Sequence, residues 1–369
     1  MSSYDASQIT VLEGLEAVRR RPGMYVGDLH DGSGLHHMLW EVLGNAIDEH
    51  LGGHASKVLV SIKGDEVVVD DNGRGVSVER LPNGSSILER ILTTLCGSGT
   101  RDGHHPHVHI GTSLYGVGLA AVNALCVELE VETHYRGRRH RISCERGRVV
   151  GAASDLGPTR RQGTRVRFRP DPTIFSSTGF DLAHVRKRLY DLACLNPALE
   201  LHFQHDELEV LHAPGGLVDL VRGEVMDENA YPYRPLRLLG AHDNVLVEVA
   251  LQWLPEGRPR EHGFVSQFRA PEGSHVRGLW KGLCAAWSSA RPHDRIARPV
   301  MRELLGQGLV AAVHVGLYDA RFDSPTRSRL DSPEAERAVC TLVHRGLESF
   351  FRAAGAGTPL VQRFARHAG

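Results

Sequence analysis

The sequence predicts an α+β protein of two domains, and three observations support that prediction. The chain has 369 residues, which is enough for two domains with separate hydrophobic cores. Both helical spacing and strand-like runs of apolar residues occur along it. The breaker-rich sequence Pro214-Gly215-Gly216 is a candidate boundary. We therefore expect domains at residues 1–216 and 217–345, followed by a carboxy-terminal helix and tail at residues 346–369.

The composition is that of an ordinary soluble globular protein, with 41% hydrophobic and 24% charged residues. The formal net charge is -1, so the overall charge does not indicate a nucleic-acid-binding surface. No apolar run reaches the length of a membrane helix, and the first residues lack the layout of a signal peptide. We expect a cytoplasmic protein with no membrane contact. The 6 cysteines are scattered and predict neither a metal site nor a disulfide framework.

The first elements are defined by hydrophobic spacing and by the residues that interrupt it. Apolar residues fall at helical spacing over 9–18 and again over 35–51, where Gly52-Gly53 follows. Two strand-like runs, 57–62 and 66–70, are close enough in sequence to form a hairpin.

The remaining elements are predicted from the same signals. The region from Gly97 to Gly118 is rich in Gly and His without periodicity, which predicts a long flexible loop. Such loops are usually either functional lids or disordered segments. The tail from Gly355 onward carries only weak signals. The other predicted elements are helices over 119–125, 182–195, 276–289 and 337–353, and strands within 127–168 and over 199–203, 245–253 and 309–317.

Polar side chains recur every four residues along the predicted helix over 35–51, at His37, Glu41, Asn45 and Glu49, so they share one stripe. A Glu can take a proton from water, a His one turn earlier can orient it, and an Asn oxygen one turn later can bind Mg²⁺. The stripe therefore indicates a candidate catalytic face. The alternative is a solvated helix face on which this order arose by chance.

Two further motifs follow in the chain. Asp71-Asn72-Gly73-Arg74-Gly75 comes directly after a strand, where a carboxylate beside glycines can accept a hydrogen bond from an exocyclic amine. Gly116-Val117-Gly118 precedes a predicted helix, where backbone N–H groups can approach phosphate oxygens. The alternative is a simple acidic turn for the first of these motifs and an ordinary loop for the second. Together and in this order, the polar stripe and these two motifs are a far more specific indication of function than any one of them.

These motifs, together with others along almost the whole chain, resemble the gyrase B family, which includes the matching component of topoisomerase IV. The resemblance implies the GHKL (Bergerat) ATPase fold, an α/β sandwich shared with heat-shock chaperone and MutL ATPases. It also implies a following transducer domain with a left-handed βαβ crossover. The segments that carry it are 4–7, 12–19, 21–27, 34–37, 45–49, 71–75, 116–118, 122–125, 163–168 and 247–253.

The resemblance implies ATP and Mg²⁺ as ligands and assigns a role to each matching position. Glu41 would be the general base, with His37 orienting it, and Asn45 would hold Mg²⁺. Asp71 would bind the adenine amine near Thr164, and Arg327 of a transducer loop would reach the γ-phosphate. The remaining positions implied at the nucleotide are Tyr4, Glu49, Arg74, Gly75, Gly116, Val117 and Gly118.

Several positions depart from the family pattern. Arg327 stands where the family has Lys, and Pro325 replaces a Gln donor. The two lysines of the family's lid are absent, and neutral His at one of those positions stabilises phosphate less than Lys does. We therefore expect nucleotide binding with slower hydrolysis. Tyr135 replaces an Arg that contacts aminocoumarin inhibitors in the family, so weak aminocoumarin binding is expected.

Two functions from different classes follow from the resemblance. The first is an ATP-operated clamp that dimerises through an amino-terminal arm containing Tyr4 and Ile9 and drives DNA strand passage with a partner of gyrase A type. The second is a stand-alone paralog that binds nucleotide and regulates a partner without topoisomerase activity. A histidine-kinase or chaperone ATPase is disfavoured by the arm and by the transducer match. Residues up to Gly369 include no TOPRIM domain, so we expect no DNA cleavage by these residues alone.

Overall fold

The computed structural model describes residues 14–95, 118–226, 229–294, 296–323, 328–355 and 357–368. These residues form two compact units. The first lies within Met1–Ala193 and Ala198–His212, and the second within Cys194–Pro197 and Ala213–Gly369. The predictions made for residues 1–13, for most of the 97–118 loop and for residues 324–327 lie outside the described residues.

The first unit is built on one mixed sheet with helices packed on it. Its strands have the order β5-β4-β3-β7-β2-β1-β8-β9, with β6 paired to β4. Neighbouring strands are antiparallel except for the parallel pair β1 and β8. The helices are α1 (Glu16–Arg20), α2 (Gly23–Val26), α3 (Ser33–Leu51), α4 (Ile87–Thr93), α5 (Gly118–Ala124) and α6 (Leu182–Leu195). The strands are β1 (Lys57–Lys63), β2 (Glu66–Asp71), β3 (Cys126–Tyr135), β4 (Arg138–Glu145), β5 (Arg148–Val149), β6 (Ser154–Pro158), β7 (Gly163–Pro170), β8 (Glu200–Gln204) and β9 (Leu208–Leu211).

Helix α3 is the central helix of this unit, and its sequence explains both its ends and its packing. It follows Gly32, whose φ of 84° favours glycine, and it ends at Leu51, before Gly52 and the left-handed Gly53, whose φ is 77°. Its apolar side packs against β1, β2 and β7. The polar stripe defined above lies at one edge of this packed face. The predicted helix over 35–51 and the predicted hairpin are thereby confirmed.

The second unit contains a five-stranded sheet of order β10-β11-β15-β12-β13 and a two-stranded parallel pair, β14 and β16. The parallel neighbours β12 and β15 are joined through two helices, α8 and α9. The helices are α7 (Leu217–Val225), α8 (Ser274–Ala290), α9 (Arg298–Gly306), α10 (Pro333–Ala353) and α11 (Pro359–Ala368). The strands are β10 (Tyr231–His242), β11 (Val245–Trp253), β12 (Arg260–Val265), β13 (Phe268–Arg269), β14 (Glu272–Gly273), β15 (Leu309–Gly316) and β16 (Arg329–Leu330).

The chain beyond residue 345 contains the end of helix α10 and a further helix, α11. Helix α10 continues to Ala353, so the division expected at 345 falls inside it. The tail from Gly355 onward, where the sequence carries only weak signals, contains α11. Phe364 stacks on Trp287 with ring centroids 3.8 Å apart, and Leu360 is fully buried. These two apolar side chains anchor α11. The periodicity of the sequence in this segment is too short to indicate the helix by itself.

None of the helices in the described ranges combines the length and the apolar character needed to span a bilayer.

Candidate active site

Glu41 is a buried carboxylate whose two oxygens have different surroundings. The residue is 3% exposed, and its Oε1 lies 3.3 Å from His37 Nε2, one helical turn earlier. Its Oε2 is buried and has no hydrogen-bond partner among the described residues. A buried carboxylate oxygen without a partner is energetically costly, which marks it as an atom suited to receive a ligand or a proton.

Gly118 forms one wall of the space around Glu41. A Cβ atom at this position would collide with Glu41 Oε2. A side chain here would have to displace that oxygen, so glycine lets the beginning of α5 lie close to the carboxylate in its present position. Gly118, the last residue of the glycine motif, and Glu41 of the polar stripe are far apart in sequence and meet here in the fold.

Asn45 and Glu49 continue the stripe but have different partners. Asn45 Nδ2 donates to the Glu41 carbonyl oxygen at 3.2 Å, which leaves Asn45 Oδ1 as the side-chain oxygen suited to a hard cation. Glu49 accepts from Arg74 N at 2.9 Å and pairs with the Arg74 guanidinium at 2.8 Å. Burial alone would raise the pKa of Glu49, but the hydrogen bonds from Arg74 hold it below its usual value.

Asp71 is the second buried carboxylate of the site, at the end of β2. Its Oδ1 accepts from Gly73 N at 2.8 Å and from Thr164 N at 3.3 Å. These two hydrogen bonds lower the pKa of Asp71, but burial has the larger effect and raises it to about 6. A Cβ on Gly163 would collide with the Asp71 carbonyl oxygen, so β7 can approach this turn only through glycine. Asp71 and Thr164, predicted together from the resemblance, are brought together by the fold.

Gly75 completes the turn in a conformation that favours glycine. Its φ is 77°, and a Cβ there would lie 2.6 Å from the His134 carbonyl oxygen. Arg74 points its guanidinium to Glu49, so the predicted nucleotide positions Glu49 and Arg74 are paired with each other in this structure.

Two buried groups were missed by the sequence reasoning. Thr133 of β3 hydrogen-bonds the backbone of Val76, directly after Gly75. Asp171 is fully buried and binds Arg19 of α1 at 2.7 Å. Burial would raise the pKa of Asp171, but hydrogen bonds from Thr173 and Arg19 hold it well below its usual range. The spacing of these residues along the chain carries no signal, because each contact joins distant segments.

Several predicted site residues cannot be placed. Tyr4, Gly116, Val117 and Arg327 lie outside the described residues. Within the described part of the chain, His, Cys, Asp and Glu side chains do not converge in a group of three or more that could hold a metal ion. A single Asn oxygen beside a carboxylate nevertheless suits Mg²⁺, which commonly takes one or two protein ligands together with phosphate oxygens and water.

Comparison with known families identifies the class of protein that has this fold and these two buried acids, Glu41 on a helix face and Asp71 at a strand end. The family described as "Histidine kinase-, DNA gyrase B-, and HSP90-like ATPase" matches residues 30–174. The family described as "DNA gyrase B" matches residues 216–368. The fold is therefore the GHKL ATPase fold followed by a transducer domain. The chain belongs to the DNA gyrase B family, through its ATPase and transducer region.

Individual relatives and a solved structure show the same likeness. The chain is 32% identical over 359 residues to the type 2 topoisomerase B protein of Aquifex aeolicus, covering 94% of this chain and 45% of that protein. It is 35% identical over 355 residues to the DNA gyrase B protein of Archaeoglobus fulgidus, covering 93% and 55%. The 43K ATPase domain of Thermus thermophilus gyrase B, solved with an aminocoumarin, matches with a TM-score of 0.80 and 30% identity. That match covers 96% of this chain and 94% of the solved chain. The chain spans about half the length of these curated relatives.

Proposed function

We propose that this chain is an ATP-binding and ATP-hydrolysing clamp module of gyrase B type, with Glu41 as its general base. The observation that carries the proposal is the pairing of buried Glu41 with His37 on α3, the helix that packs against the strand ending in Asp71. Two buried carboxylates in one domain, one paired with His and one at a strand end, suit proton transfer and base recognition respectively.

Each side chain has one task in this proposal. Ionised Asp71 accepts a hydrogen bond from the exocyclic amine of adenine. Glu41 Oε2 accepts a proton from the water that attacks the γ-phosphorus. The bond between that phosphorus and the β,γ-bridging oxygen breaks, and ADP leaves with the electron pair. His37 holds Glu41 Oε1, so that Oε2 is the oxygen directed to the water.

The remaining site residues are proposed as supports for the phosphates and the cation. Asn45 Oδ1 would hold Mg²⁺, since Asn45 Nδ2 is already bonded to the helix backbone. When bound, Mg²⁺ neutralises charge on the phosphate oxygens. Backbone N–H groups of Gly116-Val117-Gly118 would bind phosphate, and Arg327 would add a positive charge at the γ-phosphate. Glu49, Arg74, Gly75, Thr164 and Tyr4 would complete the nucleotide pocket.

The gyrase B relationship supports a wider role as a clamp. We propose an ATP-binding domain at 1–216, a transducer at 217–345 and a final helical segment at 346–369. ATP would bring two copies together through the amino-terminal arm, and the dimer would act on DNA with a partner of gyrase A type in the cytoplasm. A non-hydrolysable ATP analogue should then double the mass measured by light scattering, and deletion of residues 1–14 should prevent it. An unchanged mass with the analogue would contradict the clamp.

The second candidate is a stand-alone paralog that binds nucleotide and regulates a partner. Pro325 and the loss of the lid lysines favour it, because they remove groups that stabilise phosphate charge. The match of residues 216–368 to DNA gyrase B disfavours a histidine kinase or chaperone ATPase.

The deciding experiment compares steady-state ATP hydrolysis by the wild type and by Glu41→Ala, with nucleotide binding measured in both. Turnover that is lost in the variant while binding persists supports an active clamp with Glu41 as base. Binding without turnover in either protein supports the nucleotide-sensing paralog. No binding of ATP by the wild type would contradict both candidates.

A further inference from the structure

Thr133 is a fully buried residue of β3 whose hydroxyl holds the backbone of Val76. Its Oγ1 accepts a hydrogen bond from Val76 N at 2.8 Å and donates one to Val76 O at 3.0 Å. A hydroxyl has one donor and two acceptor lone pairs, so a single side chain can satisfy both polar groups of one peptide residue. We call this pair of bonds the Thr133 clasp.

The clasp depends on the close approach of the turn to β3. A Cβ on Gly75 would lie 2.9 Å from Thr133 Oγ1 and 2.6 Å from the His134 carbonyl oxygen. Because Gly75 has no side chain, the backbone of the turn can rest directly on the end of the strand. The hydroxyl then fixes the first residue after that glycine.

Thr133 and Thr164 are directly opposite each other on β3 and β7. Thr164 N donates to Asp71 Oδ1 at 3.3 Å, while Thr133 holds Val76. Two neighbouring strand positions therefore hold the two ends of the segment from Asp71 to Val76. The segment is fixed at both ends by hydrogen bonds to the sheet, with Gly73 and Gly75 between them.

We infer that Thr133 is a positioning residue for nucleotide binding: it holds the Asp71–Val76 turn in the conformation that binds the base. This inference rests on the proposed ATP-binding function. Thr133 does not itself contact the ligand; it acts through the turn. A turn that is ordered before binding loses less conformational entropy when the nucleotide arrives, so removing the clasp should weaken affinity.

Two substitutions separate the hydroxyl from the shape of the side chain. Thr133→Val is close in shape but has no hydrogen-bonding group, while Thr133→Ser keeps the hydroxyl and loses a methyl group. We expect Thr133→Val to weaken ATP binding in calorimetry by about tenfold, the effect of about 1.4 kcal/mol. The KM for ATP should rise by a similar factor with kcat unchanged. Thr133→Ser should retain most of the wild-type affinity, although it packs less well in the strand.

A second measurement tests the clasp without nucleotide. The Val76 amide should exchange slowly with deuterium in wild-type protein followed by NMR, and clearly faster in Thr133→Val. Fast Val76 exchange in the wild type would overturn the clasp itself, even if Thr133→Val failed to fold. Equal ATP affinity of wild type and Thr133→Val, or equal loss in the Val and Ser variants, would overturn the positioning role. A wild type that binds no ATP would instead overturn the proposed function on which that role rests.

Discussion

His37 Nε2 lies 3.3 Å from Glu41 Oε1, while the other carboxylate oxygen of Glu41 is buried against Gly118. This asymmetry gives the two oxygens different uses: one is oriented by the histidine and the other is left for the reacting water. Because His37 acts on the geometry of Glu41 and not on the nucleotide, its removal should affect turnover more than binding.

His37→Ala should lower kcat for ATP hydrolysis by about tenfold to a hundredfold, with little change in nucleotide affinity. Steady-state kinetics and calorimetry on the same preparation test this. The exposed His184 on α6 provides a control, since His184→Ala should leave kcat and affinity near the wild-type values. A parallel loss of binding in His37→Ala would show that this side chain contacts the nucleotide or supports the fold.

The raised pKa of Asp71, about 6, should make nucleotide binding depend on pH. Only the ionised carboxylate is a full acceptor for the adenine amine, so affinity should fall as pH drops through about 6. Calorimetry one pH unit above and one below this value measures the change. Asp71→Asn should bind nucleotide weakly at both pH values. Any pH dependence of affinity that this variant retains should come from the phosphates of the nucleotide. Identical pH profiles for wild type and variant would contradict the assignment.

Ionisation of Asp71 favours nucleotide binding, but the same raised pKa predicts that it lowers the stability of the protein without nucleotide. An acid whose folded pKa is raised from 3.8 to about 6 contributes stability at low pH that is lost as pH rises through about 6. At neutral pH, Asp71→Asn should therefore increase the free energy of unfolding, by up to about 3 kcal/mol. Urea unfolding of both proteins tests this. Lower stability of the variant at neutral pH would mean that the ionised form is the better hydrogen-bond acceptor for Gly73 and Thr164.

The second unit should lose stability in acid because of His275. Burial lowers the pKa of His275 from 6.5 to about 4. Its Nε2 donates to Ala270 O at 3.0 Å, and its Nδ1 is buried with no hydrogen-bond partner among the described residues. A proton on Nδ1 would therefore be a buried, unpaired donor.

A base whose folded pKa is lowered contributes stability that is complete above 6.5 and is lost as pH falls towards about 4, here by about 3 kcal/mol. His275→Gln is a suitable comparison, because its amide can still donate to Ala270 O but does not titrate in this range. Urea unfolding followed by tryptophan fluorescence should show a smaller acid loss in the variant. Equal losses would assign the acid sensitivity to other groups.

Tyr135 offers a test of inhibitor recognition. It ends β3, and the Arg136 guanidinium lies over its ring at 5.1 Å from the centroid. Tyr135→Arg, which restores the residue implied by the family pattern, should strengthen aminocoumarin binding by at least about tenfold, as expected for a charge-assisted hydrogen bond. Tyr135→Phe should leave the affinity unchanged. Tight binding to the wild type, equal to that of Tyr135→Arg, would contradict the prediction.

The elements that sequence predicted well are those defined by local signals. Helix α3 has continuous apolar periodicity and a glycine stop, and the β1–β2 hairpin is a short-range structure. The positions of Glu41 and His37 follow directly from the helix, because an i, i+4 pair shares a face once the helix exists.

The features that sequence missed depend on contacts between distant segments. The Thr133 clasp joins residues 57 positions apart and requires the register of β3 against the turn. The pairing of Arg74 with Glu49 requires β2 to end beside α3. The position of helix α11 depends on the stacking of Phe364 on Trp287, a contact between distant segments. Strand β10 was also missed, because half-buried and exposed positions along it give no clear alternation.

The contact between Arg19 and the buried Asp171 has a consequence for the order in which the protein folds. Arg19 also donates to the Ala124 carbonyl oxygen, so α1 is held by groups 105 and 152 residues further along the chain. Contacts of such wide sequence separation form slowly, because a long loop must close before they can be made. During synthesis α1 emerges from the ribosome before Ala124 and Asp171, so its anchor is completed only after β7. Helix α1 should therefore be among the last elements of this unit to reach its final position, and a nascent chain paused before Asp171 should leave α1 open to proteases.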